Sequence, residues 1–253
     1  LPSIAEAVRL LASIGMLLYA SIRDVRTREV PDEIWLIGCS LGLLLDLYDV
    51  FRGLYRPLPL LLSVGVSTLL AYIIAYLGLF GGADFKAFAA LSLLLPHPPG
   101  FKPLLDIASP LYPLTVFSNS VLVGASLSLL ILSRNLLRVL RGDSLFEGLD
   151  DPWWRKLIVL LTGLRKPLRS VRGPPFDYPL EVLEGGSRRL VLMPSLESDE
   201  EALSMLKELG EADLLEVWIS STLPFLLFVT LGLGISLLLG DISLWFIFRM
   251  LRG

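Results

Sequence analysis

Three stretches of this chain, Leu58 to Phe80, Leu111 to Ser133 and Val217 to Leu239, contain no Asp, Glu, Lys or Arg. A bilayer's hydrocarbon core is about 30 Å thick and takes roughly 20 apolar residues per helix, so each stretch is long enough to cross. Inside lipid every backbone N–H and C=O must be satisfied by the protein itself, which restricts spanning segments to helices and closed barrels. Unbroken apolar runs suit helices. Composition agrees: 54% of residues are hydrophobic and 19% charged, against roughly 25% charge in soluble domains. The expected fold is an all-α polytopic membrane protein with six transmembrane helices and a small soluble α/β insert between the fifth and sixth spans.

The expected spans are Ile4 to Ile22, Ile34 to Phe51, Leu58 to Phe80, a short Phe85 to Leu95, Leu111 to Ser133 and Val217 to Leu239. Pro224 is expected to kink the last, and Ile242 to Leu251 to lie at the interface. The first stretch lacks a basic leader and a cleavage site and is read as a retained span. About Arg134 to Asp213 the composition changes: twelve Lys or Arg and fourteen Asp or Glu mark a hydrated segment. There Trp153 to Leu164 suits an amphipathic interfacial helix. Leu180 to Leu183 and Arg189 to Met193 suit a hairpin around Gly185-Gly186, and Ser198-Asp199-Glu200-Glu201 opens a helix with a capping-box pattern. The expected domains are a membrane domain over 1–133, a cytoplasmic insert over 134–213 and a closing span with an interfacial tail over 214–253. The short turn after the first span carries Arg23, Arg26 and Arg28, which places it in the cytoplasm by the positive-inside rule.

One cysteine, Cys39, excludes a disulfide framework and cysteine-rich zinc modules, and His97 is the only histidine. No metal, cofactor or nucleic-acid partner is expected. The informative charges are Asp24, at the end of the first span, and Asp84, in Gly81-Gly82-Ala83-Asp84-Phe85-Lys86 after the third. Six-span topology brings both out on one membrane side at similar depth. Paired carboxylates can share a proton and drive water onto a peptide bond. Each also has a bland role: Asp24 as a partner of nearby arginines, Asp84 as a helix cap. Gly81 and Gly82 permit close backbone approach and positive φ, and Ala83 keeps the space beside Asp84 small. A transporter using the same carboxylates for ion or proton coupling is the alternative.

The segments Asp24-Val25-Arg26-Thr27-Arg28-Glu29-Val30-Pro31-Asp32 and Gly81-Gly82-Ala83-Asp84-Phe85-Lys86-Ala87 resemble the archaeal preflagellin and type IV prepilin peptidases, membrane aspartic proteases of the GxGD type. A softer echo is Val217-Trp218-Ile219-Ser220 with Leu223-Pro224-Phe225. The resemblance implies that Asp24 and Asp84 are the catalytic pair. It also implies precursor substrates with a short basic leader before a hydrophobic helix, cut at the cytoplasmic face of the cell membrane. The cysteine-rich segment linked to methyl transfer in bacterial relatives is missing, so cleavage without methylation is expected. Lys86 is a candidate for electrostatic support, Asp32 or Glu33 for receiving a leader's basic residue, and the run Glu197, Asp199, Glu200, Glu201 for attracting the leader. Asp46 is a rival carboxylate expected near the opposite face, and Asn119 an interhelical hydrogen-bonding group.

Overall fold

The computed structural model describes residues 3–192, 199–212, 214–222 and 224–252. They form two compact units, Leu1–Gly124 with Pro224–Gly253, and Ala125–Leu223. The first holds α1 (Ile4–Thr27), α2 (Asp32–Phe51), α3 (Pro57–Tyr76), α4 (Gly82–Leu94), the start of α5 (Tyr112–Leu140), α8 (Phe225–Leu238) and α9 (Ile242–Arg252). Helices α1, α2, α3 and α5 are long and apolar enough to cross a membrane, and α8 with α9, bent by 52° at their break, would make a fifth crossing.

The centre of this unit is the short helix α4, packed against α1, α2, α3 and α8. Its Ala87, Phe88, Ala90, Leu91 and Leu94 are buried. Outward-facing leucines and isoleucines such as Leu36, Ile37, Leu44, Leu61 and Leu69 stay exposed, as a lipid-facing surface requires. Gly42 of α2 lets α4 approach: a Cβ there would lie 2.7 Å from the Leu93 carbonyl carbon. Gly42→Ala is therefore expected to cost about 1–3 kcal/mol, read as a lower unfolding midpoint in detergent. The same change at Gly65, where a Cβ meets open space, should leave the midpoint unmoved or raise it.

Asn119 acts between helices as expected. It is fully buried, and its amide donates to Ser236 Oγ at 2.9 Å and to the Gly240 carbonyl at 2.8 Å. Its oxygen accepts from the Ile242 N–H. One side chain thus satisfies backbone groups freed where α8 breaks before α9.

The expected sixth span, Val217 to Leu239, divides in two. Glu216–Ser221 is a strand, and the helix starts only at Phe225, with Pro224 as its N-cap residue. Pro224 therefore opens α8 rather than kinking it, since a residue without an N–H is tolerated where helical N–H groups lack partners. The apolar run misled because a strand buried on both faces carries no charge either.

In the second unit, β1 (Leu164–Pro167), β5 (Glu216–Ser221) and β2 (Asp177–Pro179) form an antiparallel sheet with β5 central. The expected hairpin is β3 (Glu181–Glu184) with β4 (Ser187–Leu190), turning at Gly185 and Gly186, both at positive φ. Helices α6 (Trp153–Thr162) and α7 (Asp199–Glu211) complete the unit. Met193, Glu197, Ser198 and Leu223, named above, lie outside the described residues. Trp218 is fully buried, stacked on Phe146 at 5.1 Å.

Two carboxylates are sealed inside this unit with partners. Glu181 accepts from Arg188 at 2.6 Å and from the Trp218 N–H at 2.8 Å. Asp177 is buried, which by itself raises its pKa, but hydrogen bonds from Ser221 and the Arg172 N–H and the Lys166 charge outweigh burial and hold it below the usual carboxylate range. A depressed native pKa contributes stability that is present above the unfolded value of 3.8 and lost as pH falls through the native value. Asp177→Asn should flatten the acid side of the stability profile below about pH 4, measured by urea unfolding across pH.

Candidate active site

Helix α1 ends just beyond Asp24. Arg28 adopts a left-handed conformation at φ 58° and its N–H closes the helix on the Asp24 carbonyl at 3.1 Å. Arg28 Nη1 lies 3.6 Å from Asp24 Oδ1. The backbone N–H of Leu226, one of the N–H groups in the first turn of α8 that have no partner within their own helix, lies near the same carboxylate. The expected bland role of Asp24 is therefore present: it pairs with an arginine.

Asp84 sits in the first turn of α4. Its Oδ2 accepts the Gly81 N–H at 3.0 Å, so it serves as a cap. The positive φ expected of Gly81 and Gly82 is absent: Gly81 has φ −73°, and neither glycine is among the left-handed ones. That conformation falls instead on Gly78, at φ 73°. There Gly78 N–H donates to the Ala75 carbonyl and Leu79 N–H to Ile74, the paired bonds that close a helix at a glycine. Close approach is not the role of Gly81 and Gly82 either. A Cβ at Gly82 would meet nothing, and one at Gly81 only Asp84 Oδ2 at 3.4 Å. The pair leaves open space next to the carboxylate.

Aromatic packing binds the two segments together. Phe80, immediately before Gly81, stacks on Phe88 of α4 at 5.7 Å and meets Phe225, the first residue of α8, at 4.8 Å. Phe117 of α5 closes the cluster against Phe80 and Phe88. Phe225 precedes the residue whose N–H lies near Asp24, and Phe80 precedes the residue whose N–H is held by Asp84. The two half-buried carboxylates thus share one end of the helical unit and lie close enough for the charge of Asp24 to act on Asp84. Ser21 Oγ and Thr230 Oγ1, 2.6 Å apart, lock α1 to α8 one turn away. Sequence reasoning placed the carboxylates and missed these supports. Phe80, just before Gly81, and Phe225, in the softer echo Leu223-Pro224-Phe225, were the available signal.

Lys86 Nζ lies 2.6 Å from Asp32 Oδ1 and joins the first turns of α4 and α2. Asp32 thus meets a basic residue of this chain. Both side chains are substantially exposed, at 41% and 67%, so the pair is worth at most about 1 kcal/mol. Lys86→Met should leave the unfolding midpoint nearly unchanged in detergent.

Asp46 is remote from this end, as expected, but it is not alone. Arg9 Nη1 and Nη2 lie 2.8 Å from Asp46 and 2.8 Å from Asp49. Arg9 also donates to the Leu93 and Leu94 carbonyls at the far end of α4. All three charged residues are buried. At 1.5 Å per residue Arg9 is about 22 Å from Asp24 along α1.

Residues 11–129, which include both Asp24 and Asp84, match the model of the type IV leader peptidase family. Residues 155–242 match that of the archaeal peptidase A24 C-terminus, type II. A preflagellin peptidase of Methanococcus voltae is 28% identical over 94% of this chain and 96% of its own length. Preflagellin peptidases of Methanocaldococcus jannaschii and Methanococcus maripaludis are 23% and 22% identical, each over 92% of this chain and 93% and 94% of their own. With matches running through the helical unit and on through the sheet-bearing one, this chain is similar to the type IV leader peptidases along most of its length and is a protease.

Proposed function

We propose that Asp24 and Asp84 are the catalytic pair of this peptidase. One, ionised, takes a proton from water as general base. The other, protonated, hydrogen-bonds the scissile carbonyl and stabilises the developing oxyanion. The observation that carries this reading is the packing of Phe80, beside the Asp84 turn, on Phe225 of α8, with α8 held to α1 one turn from Asp24 by Ser21 and Thr230. The open space beside Gly81 and Gly82 supports it, since a peptide must reach Asp84, and we assign those residues and Ala83 to shaping the site. Lys86, held by Asp32, supplies electrostatic support. A transporter built on the same carboxylates finds no support in the family assignment.

The relatives' names and the hydrophobic surface make preflagellin-type precursors the proposed substrates: proteins with a short basic leader ahead of a hydrophobic helix that packs laterally against the enzyme. The arginine-rich turn Arg23 to Arg28 favours cleavage at the cytoplasmic face. In the six-span arrangement we propose, α4 is the short fourth span and α8 with α9 the bent sixth. On charge and composition, 1–133, 134–213 and 214–253 remain our division into membrane domain, cytoplasmic insert and closing segment. Purified protein incubated in detergent with a synthetic leader-bearing precursor should release the leader at one peptide bond. An intact precursor under conditions where the enzyme is folded would overturn the substrate class.

A further inference from the structure

In the sheet-bearing unit, the last turns of α5 and strand β1 enclose a cleft of about 680 Å³. Five basic side chains line it, Arg134, Arg138, Arg141, Arg165 and Lys166, against two acids, Asp143 and Glu216. The acids are already engaged: Arg138 pairs with both, and Arg165 with Glu216. Lys166 is turned to Asp177. Among the described residues the side chains of Arg134 and Arg141 have no ion-pair or hydrogen-bond partner. They stand two turns apart on the face of α5 that also carries Leu130 and Leu137. The cleft therefore has a net positive charge, and two exposed guanidinium groups remain for an anion.

The depth of the cleft identifies the anion's source. Helix α5 has 29 residues, about 43 Å at 1.5 Å per residue, and so overruns a hydrocarbon core of about 30 Å by about two and a half turns. With Tyr112 at one border, the other falls beside Arg134. The lining passes at that level from Leu130 to arginine, the order in which a lipid presents its chain and then its phosphate. An independent marker agrees. Buried Asn135 donates to the Leu160 and Gly163 carbonyls at 2.9 Å, fixing the end of α6 next to this part of α5. Helix α6 exposes Trp153, Trp154, Leu157 and Ile158, the amphipathic aromatic face of an interfacial helix.

We propose that this cleft seats the phosphate of an anionic phospholipid, with Arg134 and Arg141 as its ligands and the apolar surface around Leu130 against its chains. The geometry differs from a general basic collar in having walls: α5 on one side, and β1 with Arg165 and Pro167 on the other.

The test is lipid binding by the full chain in neutral detergent, followed by native mass spectrometry. Phosphatidylglycerol, phosphatidylcholine and soluble glycerol phosphate are titrated separately. One phosphatidylglycerol should bind in preference to phosphatidylcholine. Arg134→Ala/Arg141→Ala should weaken it about 30-fold, roughly fivefold for each arginine near a membrane surface. Arg134→Lys/Arg141→Lys, which keeps the charge, should lose far less and controls for folding. Unchanged affinity in the alanine variant, or equal binding of phosphatidylcholine, would overturn the proposal. Equal affinity for glycerol phosphate would assign the cleft to a free phosphate and overturn the lipid as its occupant. The readout is binding, so it stands apart from cleavage and from the roles of Asp24 and Asp84.

Discussion

Asp24→Asn and Asp84→Asn should each lower the cleavage rate roughly a thousand-fold or more while the protein still folds. Asparagine is the informative choice because each aspartate also stands beside a backbone N–H at the start of a helix. Asp84 accepts the Gly81 N–H and Asp24 lies near that of Leu226, and an amide oxygen can face both N–H groups as a carboxylate does. What asparagine cannot do is take a proton from water or donate one to a carbonyl as a carboxylic acid. Alanine removes cap and chemistry together and should cost about 1 kcal/mol of stability besides the activity. Single-turnover cleavage of a leader-bearing precursor, with unfolding midpoints in the same detergent, separates the two effects. Wild-type cleavage by either asparagine variant would end the case for the pair.

The largest loss of stability is expected from Arg9→Met. Helix α4, with 13 residues, covers about 20 Å, less than the hydrocarbon core, so its end carbonyls cannot all reach water. Arg9 donates to two of them, those of Leu93 and Leu94, while neutralising Asp46 and Asp49. Removing it strands two buried carboxylates and a helix terminus, a loss of about 3–5 kcal/mol. Cleavage should fall with it, because α4 carries Asp84. Adding Asp46→Asn and Asp49→Asn to Arg9→Met should recover more than half of the loss, since neutral groups no longer need a counter-charge. Thermal unfolding in detergent reads both variants. A single variant as stable as the wild type would show that the cluster carries no structural weight.

This cluster was partly legible. Arg9 and Asp49 stand at nearly equal distances along the chain on either side of the turn before Pro31, so two antiparallel helices bring opposite charges to one depth. Reading Arg9 only as a residue near a membrane surface concealed that. The fate of Val217 to Ser221 was not legible in the same way. An apolar run of that length fits a buried strand as well as a span, and only its pairing with β1 and β2 decides between them. The positive φ expected at Gly81 or Gly82 belongs to Gly78, because the ending of α3 determines which glycine must turn left-handed.

By itself the sequence determined that several helices are apolar enough to cross a membrane, that a charged segment interrupts them, and that Asp24 and Asp84 stand at ends of apolar runs. Those are local properties, set by side-chain hydropathy and spacing along one segment. Tertiary structure decided what no single segment encodes. It made α4 the central helix, pinned at one end by Arg9 of α1 and opened at the other beside Phe80 and Phe225. It set a backbone N–H beside each aspartate, and Asp24's belongs to a helix two hundred residues away. The reason is physical: a short helix inside a bundle must have both ends satisfied by its neighbours, and which neighbours do so depends on packing in three dimensions rather than on order along the chain.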